Sequence, residues 1–150
     1  MSTAILWPTF LQVGLIFAVL FTLATKRFAY MRDHPPRREN FASSESMKAY
    51  FAPVASPASN LANLFEMPVL YFALVPLLLI FQHADHIQVA LAWAYVALRV
   101  AHSLIHITRK SANTRFMIYL ASCVVLSAMW IGFAVDMATA TAALANLPGS

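Results

Sequence analysis

The sequence predicts an all-α integral membrane protein built as a four-helix bundle, and its composition carries that prediction. Hydrophobic residues make up 61% of the 150-residue chain and charged residues only 11%, whereas an ordinary soluble domain carries about 25% charged residues. The mean hydropathy is +0.68. This composition disfavours a soluble enzyme, a disordered tail and a nucleic-acid-binding domain, and it indicates that membrane lipid is the main partner.

Four apolar stretches are each long enough to cross a bilayer, which takes about 20 residues in a helix. The second stretch contains only one charged residue, Glu66, and the third contains only Arg99. The first and fourth contain none. We predict one transmembrane domain, residues 1–150, with spans at residues 4–25, 60–81, 87–108 and 116–135.

Several features refine these spans. No basic residue precedes the first apolar stretch, so we expect a retained span rather than a cleaved signal peptide. Pro68 and Pro76 are expected to bend the second span. The alanine- and threonine-rich segment 137–150 is expected to fray.

The basic residues predict how the bundle is oriented. The first loop, residues 26–59, and the third loop carry nine of them, and the second loop carries none. The positive-inside rule therefore places these two loops in the cytoplasm and both termini outside. The first loop is either a solvated segment facing lipid headgroups or a lid over a cytoplasmic site. The nine basic residues are Lys26, Arg27, Arg32, Arg37, Arg38, Lys48, Arg109, Lys110 and Arg115.

Polar residues form a stripe on each of the two middle spans, since their spacing places them on one face of a helix. Arg115 stands at the mouth of the fourth span, with Tyr119 one turn further along. The stripes predict a polar cavity open to the cytoplasm. They consist of Asn60, Asn63 and Glu66 on the second span and of Tyr95, Arg99, His102 and His106 on the third.

Glu66 and Arg99 lie at similar depths in the membrane. Glu66 is about 9 Å and Arg99 about 13 Å from the cytoplasmic ends of their spans, at 1.5 Å per residue. Charged groups in hydrocarbon usually face a partner or a wet cavity. We therefore expect Glu66 and Arg99 to pair, either within a ligand site or as an ion pair that only sets the helix register.

The residue types in this cavity suit an anionic or zwitterionic ligand, and the arginines suit the stabilisation of a thiolate or an oxyanion. His102 and His106 have the spacing of metal ligands, but no cysteine or acidic residue lies near them in the sequence, so we expect no metal site. Cys123 is the only cysteine, which excludes an intrachain disulfide and a cysteine metal cluster. It is expected to be a packing residue.

Three short motifs resemble those of the MAPEG family, the membrane-associated proteins in eicosanoid and glutathione metabolism, in its bacterial-type form. They are N-L-F-E-M-P at 63–68, R-V-A-H-S at 99–103 and R-F-M-I-Y at 115–119. Each motif alone is weak, but their order, spacing and placement on the spans are specific together. The resemblance covers nearly the whole chain.

The resemblance implies a homotrimer that binds glutathione between adjacent subunits, near the cytoplasmic face. Arg115 matches the arginine that stabilises the glutathione thiolate. Either Arg27 or Lys26 is expected to contact a ligand carboxylate, and His106 stands where relatives often have a tyrosine. The positions that match ligand contacts are Asn63, Glu66, Arg99, His102 and Tyr119.

The chain also departs from the family pattern. Eukaryotic relatives often carry arginines one and four residues before the asparagine of the N-x-x-E motif, where this chain has Ala62 and Ser59. Fewer basic groups weaken the binding of the glutathione carboxylates, because charge-assisted hydrogen bonds are the strong ones.

The resemblance implies a membrane glutathione transferase or peroxidase that acts on a small lipophilic substrate. The short, compact chain favours a bacterial inner membrane as its location. The alternative is a non-catalytic membrane protein that uses the same cavity to bind a ligand or to act as a scaffold. A small transporter that relays protons through Glu66 and the histidines ranks last, because no inverted repeat is evident.

Overall fold

The computed structural model of the protein describes residues 3–108 and 112–145. Arg109 and Lys110, which contribute to the predicted orientation, lie outside the described residues. The helices are α1 (Leu6–Asp33), α2 (Ser44–Tyr50), α3 (Ser56–Leu64), α4 (Pro68–Ile80), α5 (His86–Thr108) and α6 (Ala112–Ala145). Short 3-10 turns lie at Thr3–Ile5, Arg38–Phe41 and Ala52–Val54.

The described residues include four helical segments that are long and apolar enough to cross a membrane, which confirms the predicted fold class. Large apolar side chains such as Phe21 and Ile80 point outward from the bundle, as expected for a protein whose solvent is lipid. The four segments are Thr3–Asp33, Ser56–Ile80, His86–Ile107 and Ala112–Ala143.

The second span is broken rather than bent. Helix α3 ends at Leu64 and α4 begins at Pro68, with residues 65–67 between them. The ring of a proline clashes with the carbonyl of the residue four positions earlier and its nitrogen donates no hydrogen bond. For Pro68 that residue is Leu64, the last residue of α3. Pro76, in contrast, lies inside α4, which continues through it.

Two helices extend beyond the predicted spans. Helix α1 continues to Asp33, beyond the predicted end of the first span. Lysine and arginine are good helix formers, so the helix does not have to end where the charged residues begin. Helix α6 runs on to Ala145, so the expectation that the chain frays from residue 137 is wrong for the residues up to Ala145. The alanines of this segment have the highest helix propensity of any residue.

The core lies where α4, α5 and α6 meet the N-terminal turn. Tyr71 of α4 and Tyr95 of α5 stack there with ring centroids 4.9 Å apart. The hydroxyl groups of Tyr71 and Thr9 are hydrogen-bonded at 2.9 Å. This stacked pair ties three helices together directly beside the polar face of α5.

The first loop folds back onto the end of α1. Tyr30 stacks on His34 and meets Tyr50 edge-on, and the Tyr50 hydroxyl donates a hydrogen bond to the His34 carbonyl. The Arg27 guanidinium lies 4.6 Å from the centroid of the Phe51 ring. An aromatic cluster therefore holds the loop beside the end of the bundle where the basic residues gather.

Candidate functional site

The polar face of α5 points into the bundle. Tyr95, Arg99, His102, Ser103 and His106 are all buried, as their helical spacing predicts. The same arrangement places Asn60 of α3 opposite Ser103, whose hydroxyl donates to the Asn60 side-chain oxygen at 3.3 Å. The two predicted polar stripes therefore meet along α3 and α5.

Arg99 is completely buried. Its Nη2 donates a hydrogen bond of 2.7 Å to the backbone carbonyl of Asn63, in the last turn of α3. The final carbonyls of a helix lack partners within it and carry partial negative charge, so they attract a cation. Arg99 also lies 5.8 Å from the ring centroid of Tyr119. Its Nε and Nη1 have no hydrogen-bond partner among the described residues.

The predicted Glu66–Arg99 ion pair is not formed within the described chain. Glu66 is exposed, and the ion pairs of the described residues are Arg32–Asp33 and His83–Asp136. The reason is the break before Pro68. The spacing of Asn60, Asn63 and Glu66 predicts one helical face, but the helix ends at Leu64, before that stripe reaches Glu66.

His102 is held by the fourth span. Its Nδ1 lies 3.2 Å from the backbone carbonyl of Arg115. Because a carbonyl oxygen can only accept a hydrogen bond, Nδ1 carries the hydrogen. In the neutral ring, Nε2 is then a hydrogen-bond acceptor. Nε2 is buried and has no partner among the described residues. The His102 ring lies beside Tyr119, with centroids 5.8 Å apart.

His102 and Tyr119 border a pocket of about 210 Å³ between α3, α5 and α6, which neither Arg99 nor Glu66 lines. Helix α6 contributes most of its wall, with Arg115 and Tyr119 one turn apart. We call it the Arg115 pocket; its lining residues are Asn63, His102, Ala112, Arg115, Phe116 and Tyr119. Four of these were predicted from the sequence. Ala112 and Phe116 were not predicted. Only their positions close to Arg115 on the same helix could have indicated that they line the pocket.

Two other predicted contacts lie elsewhere. His106 meets Ser56, whose hydroxyl donates to the His106 carbonyl at 3.0 Å and lies 3.4 Å from its Nδ1. Arg27 lies on Phe51. Neither lines the Arg115 pocket, because the folded first loop engages both of them. The described residues contain no group of three or more His, Cys, Asp or Glu side chains arranged to hold a metal ion.

The fold and the pocket define an all-helical integral membrane protein, with four spans among the described residues and a polar pocket that contains an arginine. A family model described as the MAPEG family matches residues 5–135, so the chain belongs to the MAPEG family. No curated protein and no solved structure gave a match. The family contains glutathione transferases and peroxidases as well as non-catalytic members.

Proposed function

We propose that this protein is a membrane glutathione transferase or peroxidase, in which Arg115 activates a glutathione thiol against a lipophilic electrophile or hydroperoxide. The observation that supports this proposal most is the Arg115 pocket itself. Asn63, His102 and Arg115 lie on three different helices, yet they line one cavity.

The unpartnered polar atoms beside this pocket fit a polar, anionic ligand. Buried polar groups normally have hydrogen-bond partners, and leaving them without one costs free energy. Arg99 has two such nitrogens and His102 has one. Arg99 suits a carboxylate, and the His102 acceptor suits an N–H or S–H donor. A zwitterionic peptide such as glutathione supplies both kinds of group.

Arg115 is the residue to which we assign the activation of the thiol. A guanidinium remains charged under all physiological conditions, so it favours the thiolate form, which is the nucleophile. Tyr119 follows one turn later on α6 and lines the same pocket. We assign its hydroxyl to hydrogen bonding with the glutathione sulfur.

An apolar cavity of about 460 Å³ begins one turn beyond Tyr119. It lies between α4 and α6 and offers a lipophilic substrate from the bilayer a place near the proposed thiolate. Cys123, its residue closest to Tyr119 in the sequence, is partly buried. The cavity is lined by Met67, Leu70, Cys123, Leu126, Ser127, Trp130 and Ile131.

Glutathione titration of the purified, detergent-solubilised protein tests the proposal. We expect saturable binding below about 1 mM, the level that corresponds to roughly −4 kcal/mol, together with the ultraviolet absorbance of a thiolate. Conjugation of a model electrophile or reduction of a lipid hydroperoxide is expected to follow. S-methylglutathione is the control, because it binds without a thiolate signal. No binding at that concentration would refute the proposal, and binding without turnover would indicate a non-catalytic member.

We further propose a homotrimer oriented with the first and third loops in the cytoplasm of a bacterial inner membrane. Exposed Glu66 supports an assembly, since a carboxylate at membrane depth is costly unless it faces protein or water. Native mass spectrometry is expected to show three chains. A reporter enzyme that is active only in the periplasm is expected to work when fused to the C-terminus. A stable monomer, or an inactive reporter on a well-expressed fusion, would contradict these proposals.

A further inference from the structure

A second polar pocket, of about 370 Å³, lies where the end of α1 meets the segment that leads into α3. It shares no lining residue with the Arg115 pocket. We call it the α1 pocket. Its polar lining residues are Lys26, Tyr30, Asp33 and Ser56, and prolines 53 and 57 form part of its apolar wall.

The α1 pocket carries one charge of each sign. Lys26 and Asp33 are seven residues apart on α1, which places them on the same face, about 10 Å apart along the helix axis. They form no ion pair with each other; Asp33 instead contacts the adjacent Arg32 at 3.0 Å. Such an exposed pair contributes little energy and leaves the carboxylate available. An ammonium and a carboxylate at this separation suit a zwitterion that lies between them.

The order of the two charges matches the depth of a phospholipid headgroup. The charge-free part of α1 ends at Thr25, so Lys26 marks the edge of the hydrocarbon. Asp33 lies about 10 Å further out, slightly more than the thickness of one headgroup layer, which is about 5–8 Å on each side of the bilayer. In a phospholipid the phosphate is nearest the acyl chains and the amine is attached beyond it. A headgroup bound in this pocket would therefore place its phosphate beside Lys26 and its amine beside Asp33.

The face of α1 below the pocket carries no charge. Leu15 and Thr22 lie eleven and four residues before Lys26, which places them on the same face of the helix, and both are partly exposed. They lie on the part of α1 that crosses the hydrocarbon. A headgroup seated between Lys26 and Asp33 would place its chains along this face.

The neighbouring aromatic rings favour a primary ammonium over a quaternary one. A quaternary ammonium is recognised by open aromatic faces. Here Tyr30 is stacked on His34 with centroids 4.4 Å apart, and Phe51 is covered by Arg27. A primary ammonium instead donates charge-assisted hydrogen bonds to a carboxylate such as Asp33. We propose that the α1 pocket binds the phosphoethanolamine headgroup of a phosphatidylethanolamine lipid.

The test is a titration of the purified full-length protein in detergent with short-chain phosphatidylethanolamine, followed by native mass spectrometry and thermal unfolding. We expect a bound lipid and a higher unfolding temperature. Short-chain phosphatidylcholine and soluble phosphoethanolamine are expected to bind at least tenfold more weakly. Lys26→Gln and Asp33→Asn are each expected to weaken binding about tenfold, the effect of one charge-assisted hydrogen bond.

Matched controls use the exposed charges of α2, outside the pocket. Lys48→Gln and Glu45→Gln are expected to leave lipid binding unchanged. The double variant Lys26→Asp with Asp33→Lys keeps the net charge but reverses its order with depth, so it is expected not to bind. Binding by this swapped variant, equal binding of the choline lipid or of soluble phosphoethanolamine, or losses no larger than those of the α2 controls would each overturn the proposal.

Discussion

Arg115→Ala is expected to abolish the glutathione thiolate signal and to lower kcat/KM for conjugation about 10²–10³-fold. Removing a single group that stabilises developing negative charge in an enzyme has an effect of this size. The loss is expected mainly in chemistry rather than in glutathione affinity, since Arg99 and His102 are the proposed binding groups. Thiolate absorbance, glutathione affinity and steady-state kinetics measure these contributions separately.

Two variants make the result specific. Arg115→Lys keeps the positive charge but loses the planar guanidinium, so it is expected to restore part of the thiolate signal. Arg38→Ala removes an exposed arginine of the first loop and is expected to behave as the unmodified protein. Full activity in Arg115→Ala would show that another group activates the thiol.

Arg99→Met is expected to weaken glutathione binding about 10- to 100-fold without lowering the stability of the ligand-free protein. Arg99 is a buried cation with one hydrogen bond and two nitrogens without partners. Replacing buried charged groups by apolar residues of similar volume is often neutral or stabilising. Charge-assisted hydrogen bonds to a ligand contribute about 1.5–3 kcal/mol each. Calorimetric titration and thermal unfolding therefore separate the loss of glutathione affinity from any change in stability.

Gln12→Leu is the matched control for that experiment. Gln12 is also completely buried, and neither polar atom of its side chain has a partner among the described residues. It does not line the Arg115 pocket. Its replacement is expected to leave binding unchanged and to raise stability. A similar loss of affinity in Gln12→Leu would show that binding reports only the general packing of the bundle.

Glu66→Gln provides a further comparison, because the sequence predicts an ion pair that the structure lacks. Combined with Arg99→Met, it is expected to give additive changes in the free energy of unfolding, within about 0.5 kcal/mol. A coupling well above that value would show that the two residues interact in the assembled protein.

The fold class could be predicted from the sequence because the bilayer leaves few alternatives. Each span must satisfy its backbone hydrogen bonds internally, so a long apolar stretch becomes a helix. The buried face of α5 was also predictable, since helical spacing alone places Arg99 and His102 on one side. The extension of α1 to Asp33 was less predictable, because charge marks the edge of the hydrocarbon and not the end of a helix.

The make-up of the pocket was only partly predictable. The stripe on the second span required an unbroken helix through Glu66, but the helix ends at Leu64. His106 lies on the predicted face of α5, yet its contact is Ser56. Phe116 lines the pocket without any chemical signature that distinguishes it from the other apolar residues of α6.

By itself, the sequence determined a four-span membrane protein of the MAPEG family whose polar residues gather at one end. Those properties depend on hydrophobic length, residue spacing and short motifs, all of which are local. Only the tertiary structure decided that Arg99 donates a hydrogen bond to the Asn63 carbonyl, that Glu66 is exposed rather than paired with Arg99, and that Lys26 and Asp33 line a separate pocket. These outcomes depend on where the second span breaks and on how the first loop packs, and both involve contacts between segments distant in the sequence.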